Sequence, residues 1–339
     1  MKSQQILPIF LKLTLILGVS PICTGQQVEE NDPSIISKEA KLELLNDGFT
    51  NLEGSSVSPD GRVFFVDLIH TRLDSLGPAK IMSYDPESGE FSIFSSPSGR
   101  TAGTEFDING ELICAEVTDG GGRRITKRNI YSREARFLAT GYNDKPFNGP
   151  NDLTIDKKNR IYLTDYPYTI GTETLYHRFG VVYRIDLNGT VTQIIENAGM
   201  PNGIVISPDQ KTLYVGTNGY DIWKKQAILA YDLSPEGEVS FRSIFVDFGT
   251  TSGTPDGMTV DFNGNLYVGI VRGSIGTGVK VYSPSGEELA FIKTPTRVQN
   301  VAFGRGKHNR TLFIVGGSSI YKIELEVEGY HLSQKGLNK

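Results

Sequence analysis

The strongest constraint on this chain is that it repeats itself. "PNDLTIDKKNRIYLTD" (150–165), "PNGIVISPDQKTLYVG" (201–216) and "PDGMTVDFNGNLYVGI" (255–270) each open on Pro followed by Asn or Asp. Each then reaches an Ile-Tyr or Leu-Tyr pair. The interval from Asn151 to Tyr162 equals that from Asp256 to Tyr267, and the interval from Asn202 to Tyr214 is a single position longer. "EGSSVSPDGRVFFVD" follows the same rule, because Glu53 stands as far before Phe64 as Asn151 before Tyr162. Two weaker copies complete the set. They are "GTEFDINGELICAE" (103–116), with its turn at Asn109-Gly110, and "QNVAFGRGKHNRTLFIV" (299–315), in which the interval from Asn300 to Phe313 is slightly longer again.

Inside each copy apolar and polar residues alternate, as in Ile204, Ile206, a polar turn, then Leu213 and Val215. Alternation around Pro-Asp-Gly or Asn-Gly marks a β-hairpin. Between copies runs a further strand pair, such as "GVVYRIDLNGTVTQII" (180–195) or "QAILAYDLSPEGEVSFRSIF" (226–245), so each unit holds about four strands. The openings fall at 53, near 103, and at 151, 202, 256 and 300. Six such units predict an all-β, six-bladed β-propeller with four-stranded blades, forming one domain over residues 26–339. A β-helix needs much shorter repeats, and a sandwich needs no sixfold copy. "SKEAKLELLNDGF" (37–49) is compatible with two readings, a short helix or the closing outer strand of the last blade.

Composition agrees with a soluble globular chain: 339 residues, 38% hydrophobic, 22% charged, net charge −5, and 38 Gly to serve many tight turns. No basic stripe offers a nucleic-acid surface. A closed propeller leaves few edge strands, so a monomer is the default expectation. The N-terminal segment 1–25 differs in character. "MKSQQILPIFLKLTLILGVSPICTGQQ" carries an early Lys2, a short apolar stretch and small residues before Gln26, the pattern of a signal peptide cleaved at Gly25/Gln26. That predicts a secreted or periplasmic protein. Its apolar run from Leu13 to Val19 is too short to span a bilayer. Lipid attachment at Cys23 is disfavoured because Ile22 stands where a small residue is expected. With the leader removed, Cys114 is the only cysteine, and "LICAE" places it in an apolar strand as a small buried hydrophobe.

The residue that opens each unit carries the functional signal. In a propeller the innermost strands line a central channel, and equivalent positions at their starts converge at one end. Around the ring these positions read Glu53, an unclear residue near 103, Asn151, Asn202, Asp256 and Asn300. Glu53, Asn151, Asn202 and Asp256 form a hard oxygen-donor set suited to one divalent cation, Ca²⁺ or Mg²⁺ before any soft metal. The same tripeptides elsewhere are plain turns. Pro59-Asp60-Gly61 and Pro208-Asp209 lie between the strands of their hairpins, whereas Asp256 precedes its strand and a separate turn follows at 261–265.

Several ordered motifs carry a family resemblance: "FNGPNDLTID…IYLTDYPY", "MPNGIVISPDQKTLYV", "GTPDGMTVDFNGNLYV" and "LICAE…RRITKRN". The chain resembles the family of senescence marker protein 30, gluconolactonase and related lactonases over nearly all of its length after the leader. The resemblance implies one divalent cation near the channel mouth, Ca²⁺ first, with Mg²⁺, Mn²⁺ or Zn²⁺ as alternatives. By position Glu53, Asn202 and Asp256 correspond to the family's metal ligands, and Asn151 to a residue that contacts substrate or completes the metal shell. It also implies hydrolysis of a sugar lactone or similar cyclic ester. The chain departs from the family where an "EGP-x-W" motif becomes Glu53-Gly54-Ser55-Ser56, and where a His after the Cys-Glu of the second blade is replaced by "CAEVTDGGGRR".

The expected chemistry is attack of water on the lactone carbonyl, with Asp256 taking the proton and Asn151 orienting water or the ring oxygen. Asp165, Tyr166, Arg123, Arg124 and Asn300 are candidate substrate contacts. "DYPYTIGTETLYHRFG" (165–180) is either a cover over the mouth or an ordinary surface loop. His70, His177, His308 and His331 lack metal spacing and read as loop residues. No Gly-x-Ser-x-Gly elbow is present, and "DGGGRR" (119–124) lacks the Lys-Ser/Thr ending of a phosphate loop. Two rival readings remain, a binding propeller with a structural Ca²⁺ and a phosphotriesterase-like hydrolase.

Overall fold

In a computed structural model of the chain, the repeated segments fold as six four-stranded antiparallel sheets. The structure describes residues 31–68, 78–117, 120–167, 174–176, 179–219, 225–274 and 276–332. The expected leader with Cys23, His70, His177 and the middle of the 165–180 segment lie outside the described residues.

The inner strands are Leu52–Val57, Thr101–Phe106, Pro150–Ile155, Pro201–Ile206, Pro255–Val260 and Asn300–Phe303, one for each of blades 1 to 6. Each packs on the inner strands before and after it, and the sixth packs on the first, closing the ring. The ring is the expected propeller. Its core lies between blades rather than along the axis. Phe64, Phe94, Phe106, Leu112 and Cys114 fill the space between blades 1 and 2, and Tyr267, Val281, Phe303 and Leu312 that between blades 5 and 6. Burial in this packing pushes the Cys114 thiol up to about 11, so the thiol is a packing group rather than a nucleophile.

Of the two readings of residues 37–49, the closing strand is the one formed. Glu43–Asn46 pairs antiparallel with Ser319–Glu324 as the outermost strand of blade 6. The N-terminal and C-terminal parts of the chain thus share one sheet, and Ile35 and Ile36 anchor the approach in the blade 5–6 core. Among the described residues no helix is long and apolar enough to cross a membrane.

The repeat also explains itself locally. In the hairpin turn of blade 3, Asp156 accepts the Lys158 and Arg160 amides and the Tyr162 hydroxyl. In blade 5, Asp261 does the same for the Asn265 amide and the Tyr267 hydroxyl. In these two blades the Tyr is therefore tied to the turn Asp, which satisfies a buried phenol. Pro59-Asp60-Gly61 and Pro208-Asp209 are turns, whereas Pro255–Val260 is a strand containing Asp256.

Candidate functional site at the channel mouth

Each inner strand is irregular near its start. In blades 1 to 5 its pairing with the second strand slips in register in the first half, for example between Pro201↔Thr217 and Ile204↔Val215. In blade 6, Gln299 donates its amide to the Val315 carbonyl while Asn300 pairs opposite the same Val315. A bulge of this kind re-aims a side chain and ends regular pairing. Here it recurs around the ring and sets the opening residues at one end of the channel.

Matching blades by their pairing (Ile204↔Val215 with Val301↔Ile314) corrects the sixth opening position. Gln299, not Asn300, is equivalent to Asn202 and Asp256. Asn300 takes the next position, which is glycine in blades 1, 2, 4 and 5. The unclear residue of blade 2 is Ala102. The ring therefore reads Glu53, Ala102, Asn151, Asn202, Asp256 and Gln299. The glycines beside it allow the inner strands to approach closely. A Cβ on Gly54, whose φ is +36°, would lie 1.7 Å from the Ala102 carbonyl oxygen, and one on Gly257 would lie 2.3 Å from Asn300 Nδ2.

The acidic side chains at this end are concentrated and form no ion pair among the described residues. Burial, opposed by a Gln299 hydrogen bond and reinforced by the Asp152 charge, pushes the Glu53 carboxyl up to about 8. Burial, then the charges of Glu53 and Asp152, holds Asp256 well above the usual carboxylate range, while the Asn202 side chain donates to it. Gln299 Nε2 donates to Glu53 Oε1 at 2.6 Å, and its own carbonyl accepts from Arg297 Nε at 2.8 Å and from the Gly317 amide at 3.0 Å. The Arg297 charge is thereby held behind an amide rather than paired with Glu53. Among the described residues no ion pair involves Glu53, Asp152 or Asp256. No three His, Cys, Asp or Glu side chains among them form a metal cluster. The donor set is instead two carboxylates with carboxamides, and its carboxyl pKa values are raised first by burial and then by neighbouring carboxylates. The set fits a hard divalent ion.

Sequence reasoning passes over Asp152 and Gln299. Asp152 follows Asn151 where other blades carry glycine. It lies 7% exposed, its Oδ1 accepts from the Leu153 amide, and burial with the Glu105 charge pushes it up to about 7. Gln299 is recoverable by aligning blade 6 on Phe303 and Leu312 instead of on its first Asn.

The other candidates are placed as follows. Asn151 lies in the ring, and no hydrogen bond holds its side chain among the described residues. Asp165 is fully buried and accepts the Asn148 and Gly149 amides. It braces the chain entering the blade 3 inner strand. Arg124 faces Glu116 at 2.7 Å and stacks 4.2 Å from the Phe137 ring, so it points along blade 2. Arg123 donates to the carbonyls of Phe147 (2.8 Å) and Thr174 (3.1 Å) and covers the Tyr176 ring, tying blade 2 to the loop of blade 3. Asn300 lines the channel, where its Oδ1 accepts from Ser55 Oγ at 3.1 Å. Tyr166 lies at the mouth, its amide bonded to the Gly149 carbonyl. His308 pairs with Glu87 at 3.2 Å. His331 is not a simple loop residue, because it lines the far end of the channel with its Nε2 2.9 Å from the Gly304 carbonyl.

Residues 53–318 match the family described as the SMP-30/Gluconolactonase/LRE-like region. The chain belongs to that family. It is 30% identical over 278 residues to a gluconolactonase of Zymomonas mobilis, covering 74% of each chain. It is 30% identical over 263 residues to a pentonolactonase of Haloferax volcanii, covering 74% of this chain and 77% of that one. A solved structure of a gluconolactonase from Xanthomonas campestris superposes with a TM-score of 0.74 at 26% identity, covering 86% of this chain and 92% of the other. The matched region begins at Glu53 and takes in the whole ring.

Proposed function

We propose that this chain is a lactonase-type hydrolase that opens a sugar lactone or similar cyclic ester at the channel mouth with one divalent cation, Ca²⁺ first. The observation that carries the reading is the buried pair Glu53 and Asp256, in no ion pair among the described residues and set on bulged inner strands with Asn202 and Asn151 beside them. Named lactonases among its relatives support the hydrolase class.

Glu53, Asn202 and Asp256 would hold the cation, with Asn151 completing the set. When bound, the cation supplies a Lewis acid for the lactone carbonyl and offsets the negative charge of the site. Asp256 accepts a proton from the attacking water and returns it to the ring oxygen as the acyl C–O bond breaks, so lactone and water become one hydroxy acid. Asn202 fixes the Asp256 carboxyl by its hydrogen bond. Gln299, locked by Arg297 and Gly317, fixes Glu53. Asn151, whose side chain has no hydrogen-bond partner among the described residues, orients the water or the ring oxygen. The leader-like segment 1–25 supports an exported protein, checked by finding Gln26 at the N-terminus of the mature chain.

The test is hydrolysis of a lactone panel by chelator-treated protein, with and without added Ca²⁺, Mg²⁺, Mn²⁺ or Zn²⁺, after subtraction of spontaneous opening. The reading expects turnover only with cation. Tight cation binding without turnover of any lactone would favour the binding propeller instead.

A further inference from the structure

A second feature of the mouth lies beside the ring, over blades 3 to 5. The amides of Tyr166 and Asn218 donate to the carbonyls of Gly149 and Met200, which stand just before the inner strands carrying Asn151 and Asn202. In blade 5, Thr254 holds the same place before Asp256, and its amide donates to the Arg272 carbonyl at 2.7 Å. Tyr166, Asn218, Gln226, Thr254 and Arg272 line, with Thr250 and Thr251, an open pocket of about 370 Å³. Two of its polar groups are unmatched. Asn218 Oδ1 is buried without a hydrogen-bond partner, which a native interior rarely tolerates. Arg272 is exposed, and among the described residues no carboxylate or carbonyl holds its guanidinium. Among the described residues of the lining it is the only ionised side chain.

We infer that this cavity receives an anionic group of the substrate, a carboxylate or a phosphate, with Arg272 as the specificity-determining cation and Asn218 Oδ1 accepting from a neighbouring hydroxyl. The inference rests on the reading of the mouth as the reaction site and names the substrate class: lactones of acidic sugars rather than neutral ones. A guanidinium forks onto carboxylate or phosphate oxygens in a geometry that a hydroxyl cannot match. The remaining lining, hydroxyls and amides such as Thr254 Oγ1 bonded to Gln226 Oε1 at 3.1 Å, suits a polyol chain.

The test pairs binding with turnover. Calorimetry at fixed free Ca²⁺ compares gluconate, glucarate and 6-phosphogluconate on wild type, Arg272→Ala, Arg272→Lys and Asn218→Ala. Kinetics on the matching lactones runs in parallel. The expected result is that glucarate or 6-phosphogluconate binds about 10- to 100-fold tighter than gluconate, the range of a charged hydrogen-bonded contact. Whichever acid is preferred identifies the carboxylate or phosphate source. Arg272→Ala should erase the preference and leave gluconate within threefold, Arg272→Lys should restore part of it, and Asn218→Ala should weaken all three acids alike. Equal binding of the three acids to wild type, or a preference that survives Arg272→Ala, overturns the inference. Lactone turnover without such a preference sinks this inference alone. An Arg272-dependent preference without turnover of any lactone sinks the hydrolase reading and leaves the anion site standing.

Discussion

The two ends of the central channel are lined by the same six strands and handle charge in opposite ways. At the mouth, Glu53, Asp152 and Asp256 crowd together, and the nearby guanidinium of Arg297 is held off by Gln299. Towards the far end the Glu105 carboxyl is pushed up to about 6 by burial but shares its space with Arg305. Burial and the Arg305 charge push the His331 imidazole down to about 3, so it is neutral. The described end of the C-terminal segment lines this end. The Tyr330 amide bonds to the Val260 carbonyl, and Tyr330, His331 and Leu332 line a small cavity of about 70 Å³. The far end sets an arginine beside its carboxyl, whereas the mouth carboxyls form no ion pair among the described residues, which is why the proposed cation is assigned to the mouth.

The comparison breaks most sharply at Asp256. Asp256→Ala should lower cation-dependent lactone turnover by about 10³-fold or more, the scale of losing a proton acceptor together with charge placement. The metal-free variant should melt no lower than metal-free wild type, because a repelled charge has gone. Near-wild-type turnover would remove Asp256 from this role.

Next in size is Glu53→Gln, which should weaken cation binding by at least the ~100-fold seen for strong supporting contacts, read by calorimetry. Gln299→Ala removes only the group that orients Glu53, so a loss of about 10-fold is expected. Equal losses in the two variants would mean that Gln299 is itself a ligand.

The ends should also titrate in opposite directions. Glu53 and Asp256 have folded pKa values above their unfolded ones. In metal-free protein their contribution is therefore most favourable at low pH and is lost as pH rises, for Glu53 from about 4.5 through about 8 and for Asp256 from the ordinary carboxylate range upward. His331 is depressed, so its contribution is present above about 6.5 and is lost as pH falls toward about 3. Melting curves across pH should show Ca²⁺ raising the melting temperature more at pH 8 than at pH 5, and His331→Gln should flatten only the acid side. A Ca²⁺ effect larger at pH 5 would contradict this account.

The sequence exposed the ring more clearly than its chemistry. Six hairpins were legible because Pro-Asp-Gly and Asn-Gly turns recur between alternating strands, and Asp156–Tyr162 and Asp261–Tyr267 tie turn to strand in the same way. Blade 6 reads one position out of register because it opens without Pro, and its Asn300 imitates the Asn of blades 3 and 4. Asp152 is hidden beside a more conspicuous Asn151. The tail over the far end belongs to no repeat, so nothing in the alternation of residues 325–332 reports its path. Arg123 and Arg124 could not be placed from composition, because loop carbonyls at Phe147 and Thr174 and the Glu116 carboxylate decide where they point.

The most direct test of the central claim is anomalous diffraction from crystals of the chelated protein soaked in Mn²⁺ as a stand-in for the native ion. The account predicts one strong peak at the mouth, with oxygen atoms of Glu53, Asn202 and Asp256 within the range spanned by Mg²⁺ and Ca²⁺ ligands, about 2.0–2.6 Å. A channel with no peak there, or a peak only beside Glu105 towards the far end, would contradict it.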